Sequence, residues 1–338
     1  MNSRSDRRGS CGISSYEGSV SLINTVIKPL SEMNPNYYNW FFHTEQFADE
    51  FFKWGHGIVN DLWTTTWNDM KRIVIVYPPL PEQKRIADFL DEKCSEIDDL
   101  TADIEEQIKT LEEYRKSVIT EVVTKGLNPN VEMKDSGIDW IGMIPNHWMV
   151  DKIKYHLVRN EPKNPGGVQV LSVYREYGVI PKDSRNDNHN VTSEDTSKYK
   201  YVKPGNLVIN KMKAWQGSLA VSEYEGIVSP AYFIYHFMDN MFNKKYFHYL
   251  IRSCYKDEFR RISGGIREGQ WDLPADGFAN ELVLLPPIEE QDDIVFFIDQ
   301  KCSEIDSIIS SKKQQLETLA EYKKSLIYEY VTGKKEVA

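Results

Sequence analysis

The chain has 338 residues, enough for two or three domains that each bury a core. Hydrophobic residues make up 41% and charged residues 27%, which excludes a disordered chain, and no apolar run approaches the roughly 20 residues that span a bilayer. The formal net charge of −10 excludes a protein that coats nucleic acid indiscriminately, so any nucleic-acid site has to be a local basic surface.

The start, "MNSRSDRRGS", carries charge with no apolar region behind it, which argues against a signal peptide and for the cytoplasm. The four cysteines, at 11, 94, 254 and 302, form no C-x-x-C pair, so neither zinc nor thioredoxin chemistry is expected. No cofactor or metal is expected either. Cys94 and Cys302 are assigned structural roles.

From Glu82 to Lys125 there is no proline or glycine, while Pro78, Pro79 and Pro81 precede and Gly126 follows, the punctuation of one long helix. Leu90, Ile97, Ile104, Leu111 and Val118 fall seven apart, with Ile86, Leu100, Ile108, Tyr114 and Val122 between them, a heptad stripe. Between this helix and Pro286 the periodicity changes. "VQVLSVY", "GNLVINKM", "SLAVSEY" and "AYFIYHF" read as strands bounded by turn residues, and Lys244 to Ile262 reads as one helix. The chain closes on a second long helix. Its seams are Ile298, Ile305, Leu319 and Leu326, and Ile294, Ile308, Leu316 and Tyr322, with Lys312 where the first helix has Ile104. Packed antiparallel, two helices of about 40 residues make a rod of roughly 60 Å.

The two helices are copies of one segment. "KCSEID" occurs at Lys93 and again at Lys301, and Pro78, Gln83 and Cys94 align with Pro286, Gln291 and Cys302 at an offset of 208. The offset extends upstream, where "GSCGISSYEGSVS" matches "GSLAVSEYEGIVS", and Gly57, Ile58 and Trp63 match Gly265, Ile266 and Trp271. Counterparts of residues 136 to 208 are absent from the first copy, so the chain is one and a half repeats. The expected organisation is an incomplete mixed domain at 1–78, helix 79–125, linker 126–143, a mixed domain at 144–285, helix 286–332 and a tail at 333–338. The fold class is α+β, with mixed domains joined by two long antiparallel coiled-coil helices.

Basic residues outnumber acidic ones from Lys152 to Lys213, whereas the first long helix carries much of the acid. Several basic side chains stand beside residues that stack on bases or read their edges. Arginine and lysine match guanine O6 and N7, asparagine and glutamine match adenine N6 and N7, and nearby lysines neutralise phosphates. The candidate DNA contacts are Tyr174, Arg175, Lys182, Arg185, Asn186, Asn188, Lys211, Lys213, Gln216 and Arg267. Taken singly, each is as well explained by a solvated loop. Trp215 and Trp271 are read as core, because Trp271 has a repeat partner in Trp63, and His189 as a phosphate ligand or a bystander. No phosphate-binding glycine motif is present, "YPPL" is a helix lead-in, and Asp91 to Lys93 lie on a solvated helix face.

The order of parts resembles the specificity subunit of type I restriction-modification systems. The marks are P-P-x-x-E-Q at each helix start, K-C-S-E-I-D within it, and I-P-x-x-W (Ile144, Pro145, Trp148) opening the second domain. The resemblance implies a non-catalytic subunit with two target-recognition domains that each read half of a bipartite double-stranded DNA site. It also implies two helices whose seams (Leu90, Ile97, Ile104, Leu111, Val118, Ile298, Ile305, Leu319, Leu326) serve as the partner-binding element for methyltransferase subunits, with a restriction subunit joining them. The chain departs from the pattern in its first domain, where "RSDRR" stands in the place of "MKAWQ". That leaves three arrangements open: a rearranged subunit acting as a scaffold alone, a chain completed by a second specificity fragment, or a self-dimer.

Overall fold

The computed structural model describes residues 1–4, 9–57, 63–175, 177–184, 192, 195–265 and 271–337. The chain divides into two units, Met1–Thr110 with Ile308–Ala338, and Leu111–Ser307. The first contains α1 (Pro35–Phe42), α2 (Glu45–Lys53), α3 (Trp67–Met70) and most of α4 (Leu80–Lys125), and it also takes the end of the last helix.

The second unit is a mixed domain. Its strands are β1 (Met133–Asp135), β2 (Met143–Pro145), β3 (Met149–Lys152), β4 (Leu157–Arg159), β5 (Leu171–Tyr174), β6 (Gly178–Pro181), β7 (Lys200–Val202), β8 (Leu207–Asn210), β9 (Leu219–Val221), β10 (Gly226–Val228), β11 (Tyr232–Phe237) and β12 (Leu282–Leu285). Helices α5 (Lys244–Cys254), α6 (Lys256–Ile262) and α7 (Ala275–Asn280) precede α8 (Ile288–Val331). A four-stranded antiparallel sheet in the order β4-β11-β8-β9 carries the domain, with the two-stranded pairs β1-β2, β3-β12, β5-β6 and β7-β10 around it.

Two expectations change here. Residues 126–143 are not a linker, because they form β1 and bury Ile138 in the core of the second unit. The helix expected over Lys244 to Ile262 is interrupted at Tyr255, whose side chain is fully buried and whose hydroxyl donates to the Leu282 carbonyl at 2.7 Å.

Both long helices form where proline and glycine leave room for them. Gly126 ends α4 in the left-handed conformation, φ 73°, with its N–H on the Val122 carbonyl. Within the first unit, Lys323 of α8 meets Asp98 of α4 at 2.6 Å, and Lys312 donates to Gln107. Within the second, Arg115 meets Asp306 at 2.7 Å. In the first unit, positions that rise along α4 face positions that fall along α8, so the pairing there is antiparallel. The two ion pairs are the same contact in both copies, since Asp98 corresponds to Asp306 and Arg115 to Lys323.

The heptad reading holds on one seam and half fails on the other. Leu90, Ile97, Ile104, Ile298, Ile305 and Leu326 are buried, and Leu111, Val118 and Leu319 are half-buried. Their side chains hold this chain together, so whatever the helices offer a partner lies on their outer faces. Leu100, Ile308, Tyr114 and Tyr322 are exposed, again as equivalent pairs across the repeat. Cys94 is buried and Cys302 half-buried, and burial pushes both thiols up, in keeping with structural roles.

Each mixed region is fastened to the long helices by one glutamine. Gln83, fully buried, accepts from the N–H of Asn34 at 2.8 Å and donates to the Pro78 carbonyl at 2.7 Å. Gln291, equally buried, accepts from the N–H of Asn243 at 2.8 Å and donates to the carbonyls of Met241 and Pro286. Asn34 and Asn243 cap α1 and α5, so the glutamine ties the start of a long helix to the start of a domain helix. These caps stand 209 apart rather than 208, a one-residue slip that the ungapped alignment hides. From the same helices, Tyr37 donates to the Val331 carbonyl and Tyr246 to that of Val123. Each domain helix thereby grips the start of one long helix and the end of the other.

Replacing Gln83 or Gln291 by alanine leaves a buried N–H and a buried carbonyl unpaired, which costs about 1–3 kcal/mol. Thermal unfolding of the single variants should show each lowering the transition of its own unit, and an unchanged melting profile would refute the assignment.

A second prediction comes from the floor of the second unit. Glu258 is buried and held by Arg261 at 2.7 Å, and Glu281 lies beside this pair. Burial first, then the like charge of Glu258, lifts the Glu281 carboxyl from its ordinary 4.5 to about 7, with Arg261 opposing. A folded pKa above the unfolded one means that the bound proton stabilises the fold below the unfolded value and that this contribution is lost as pH rises to about 7. Stability measured by denaturant between those limits should therefore fall more in the native chain than in Glu281→Gln; equal slopes would contradict it.

Candidate nucleic-acid interface

The candidate contacts that fall on described residues gather at one edge of the second unit. The β5–β6 hairpin pairs "LSVY", which alternates buried and half-buried positions, with "GVIP", whose first two residues are buried, around a tight turn, with Gly178 at φ 71° opening β6. Arg175 sits in that turn, and its guanidinium donates to the side-chain carbonyl of Gln216, in the loop after β8. Arg252 of α5 braces the same turn, donating to the backbone carbonyls of Arg175 and, at 2.8 Å, Leu219. The turn is therefore held from both sides.

Between the hairpin and the loop 211–217 lies a cleft of about 440 Å³ lined by Lys182, Asn210, Lys213, Gln216, Tyr199 and Tyr232 among others. Lys182 donates to Thr192 across it. Lys213 is exposed and makes no ion pair among the described residues. Tyr177 stands exposed near Tyr174, their rings 6.4 Å apart. The edge thus combines cations, a side-chain amide and aromatic faces.

Other basic residues are already spent. Lys211 pairs with Asp272 at 2.9 Å, and its backbone carbonyl accepts from Leu273, so it ties the loop to the chain before α7. Lys200 and Arg159 both bind Glu161, at 3.0 and 2.7 Å. Burial alone would raise the Glu161 carboxyl, but the hydrogen bonds from Arg159 and Lys200 outweigh it and hold the group below its usual range. Trp215 and Trp271 are half-buried and pack on each other, ring centroids 5.6 Å apart, with Arg260 5.9 Å from the Trp215 ring. Arg185, Asn186, Asn188, His189 and Arg267 lie outside the described residues.

Two contacts that the sequence marks but does not explain position this edge. Glu290, from P-P-x-x-E-Q, accepts from the Trp148 indole at 2.9 Å and pairs with His147 at 2.6 Å, so it meets the I-P-x-x-W motif. Trp148 and Ile144 are fully buried in the core that carries the sheet. Arg252 had no signal of its own, being one basic residue on an aromatic helix.

Among the described residues, the first unit shows no counterpart of the hairpin. Ser3 stands where Lys211 does, and its hydroxyl donates to the Ile23 carbonyl at 2.6 Å.

Residues 6–110 match the family described as the type I restriction modification DNA specificity domain. Among curated proteins, the specificity subunit of the type I restriction enzyme MjaVIII from Methanocaldococcus jannaschii is 25% identical over 78% of this chain and 62% of its own length. The chain is therefore similar to specificity subunits of type I restriction enzymes. A second relative from that organism, the putative type I restriction enzyme MjaX specificity subunit, is 27% identical over 78% of this chain and 60% of its own length. The chain thus spans about three fifths of the curated relatives it matches. Its fold is shared with a chain from a structure of type I R-M complex assembly and conformational transition, with TM-score 0.63, 14% identity, and coverage of 88% of this chain and 70% of that one. The HsdS subunit from Thermoanaerobacter tengcongensis aligns with TM-score 0.54 at 16% identity, over 90% and 71%. Among the described residues, no helix is long and apolar enough to cross a membrane.

Proposed function

We propose that this chain is the DNA-recognition subunit of a type I restriction-modification complex, and that its second unit reads one half of a bipartite target. The observation that carries the reading is the convergence of Lys182, Lys213 and Gln216 on one cleft, with Arg175 bonded to Gln216 beside it, from a hairpin and a loop far apart in sequence. In this account Gln216 and Arg175 face base edges, while Lys182 and Lys213 face phosphates. Tyr174 and Lys211 support them from behind.

The chain performs no chemistry of its own in this reading. Methylation and cleavage belong to methyltransferase and restriction subunits, in the cytoplasm, with α4 and α8 as the scaffold. The exposed pairs Leu100 and Ile308, and Tyr114 and Tyr322, support a scaffold that presents the same apolar contacts twice, as two copies of one partner require.

The test is duplex binding by the chain assembled with its methyltransferase subunits. Lys213→Ala should weaken every duplex alike and lower the salt slope by about 1, whereas Gln216→Ala should relax a single position of the target by about 1–3 kcal/mol. Equal affinity for target and scrambled duplex would overturn the proposal.

A further inference from the structure

A glutamine amide holds an acceptor at one end and donors at the other, and with both ends free it matches adenine, which shows a donor at N6 beside an acceptor at N7. Gln216 does not have both ends free. The Arg175 guanidinium donates to its side-chain oxygen. Arginine has no acceptor, so this contact alone decides which end of the amide is which. The oxygen is turned to Arg175, and the NH2 group donates to nothing among the described residues, at a position that lines the cleft. Arg175 is exposed and keeps its other N–H groups. The pair therefore presents donors and no acceptor.

Both members are held in place by the fold. Arg252, in the last turn of α5, donates to the backbone carbonyl of Arg175 and to that of Leu219. Gly178, just past the turn, packs so closely on the sheet that a Cβ there would stand 3.1 Å from that of Ala220. The start of α5 is fastened in turn to α8, through the N–H of Asn243 on Gln291 at 2.8 Å. Gln216 ends a single 3-10 turn, Ala214–Gln216, in which Ala214 is fully buried. The Gln216 N–H donates to the Lys213 carbonyl at 3.0 Å, and the N–H of Gly217, at φ 91°, donates to that of Ala214 at 2.7 Å. Turning the amide over to suit another base would set its NH2 group against the guanidinium, donor against donor. A reader fixed in this way gives up little freedom on binding.

The bases differ in what they show such a pair. In the major groove adenine sets a donor beside its acceptor, cytosine shows a donor, and thymine shows one acceptor beside a methyl group. Only guanine shows two neighbouring acceptors, N7 and O6. Given the DNA reading of the second unit, on which the assignment rests, we propose that Arg175 and Gln216 act as one specificity-determining unit for a guanine read from the major groove. Arg175 selects the base as much by occupying the glutamine's acceptor as by its own contact. Adenine, which a lone glutamine would choose, is refused because its N6 group meets a donor where it needs an acceptor.

The test uses the chain assembled with its methyltransferase subunits and a random duplex pool, sequenced before and after binding. The native complex should enrich a guanine at one position that Arg175→Ala turns to adenine, because the freed oxygen restores the adenine pattern, while the other positions keep their preferences. In the selected duplex, 7-deazaguanine at that position lacks the N7 acceptor and should weaken native binding by about tenfold or more. Hypoxanthine, which keeps N7 and O6 and lacks only the minor-groove amino group, should bind as guanine does. An Arg175→Ala complex that loses affinity for all sequences alike overturns the assignment, by making the pair a phosphate contact. Weakening by hypoxanthine and not by 7-deazaguanine also overturns it, by placing the contact in the minor groove. In both of these cases a sequence is still selected, so the DNA reading of the second unit stands. A bound fraction with the composition of the input pool defeats that reading and the assignment together.

Discussion

One buried glutamine at the start of each long helix determines where a mixed domain sits. Gln83 and Gln291 use both ends of the amide, accepting from the capped turn of a domain helix and donating to the proline carbonyl ahead of the long helix. An amide suits the task because it is donor and acceptor at once without a charge to desolvate. Around it the contacts repeat. Trp40 donates to Asp91 at 2.8 Å, and Tyr249 donates to Asp299, the same helix position, at 2.6 Å. Since Tyr37 and Tyr246 also reach the last turn of the other helix, the helix pairing and the domain docking are one construction, made twice.

That construction separates two electrostatic tasks. The helices carry their acid on exposed faces, where i,i+3 pairs such as Lys93 with Glu96 and Lys301 with Glu304 contribute little to stability. The cations of the second unit divide into those neutralised at short range, such as Lys211 and Lys200, and those left at the cleft edge. A chain of net charge −10 can therefore keep a basic face where its loops converge.

Much of this was legible in the sequence, for reasons that vary by element. Proline and glycine mark the long helices to within a few residues, because those residues act through local backbone sterics. The strands at 171–174, 207–210, 219–221 and 232–237 fell within the expected segments, since alternation is equally local. The heptad count overreached at Leu100, Ile308, Tyr114 and Tyr322, because a seven-residue period shows which residues share a stripe but not how much of it the partner helix covers. The break at Tyr255 was hidden, as it depends on a hydrogen bond to Leu282 that helical periodicity cannot register. So was the pairing of Lys211 with Asp272, which reaches it only through the fold. The two E-Q motifs were visible as repetition, but their purpose appears only when Trp148 and Asn243 arrive beside them.

The central claim is that this chain chooses a DNA sequence through its second unit. The direct measurement is selection from a random duplex pool by the chain assembled with methyltransferase subunits, followed by sequencing of the bound fraction. The account predicts enrichment of a defined sequence that disappears when Arg175 and Gln216 are both replaced by alanine and the complex still assembles. A bound fraction with the same sequence composition as the input pool would contradict it.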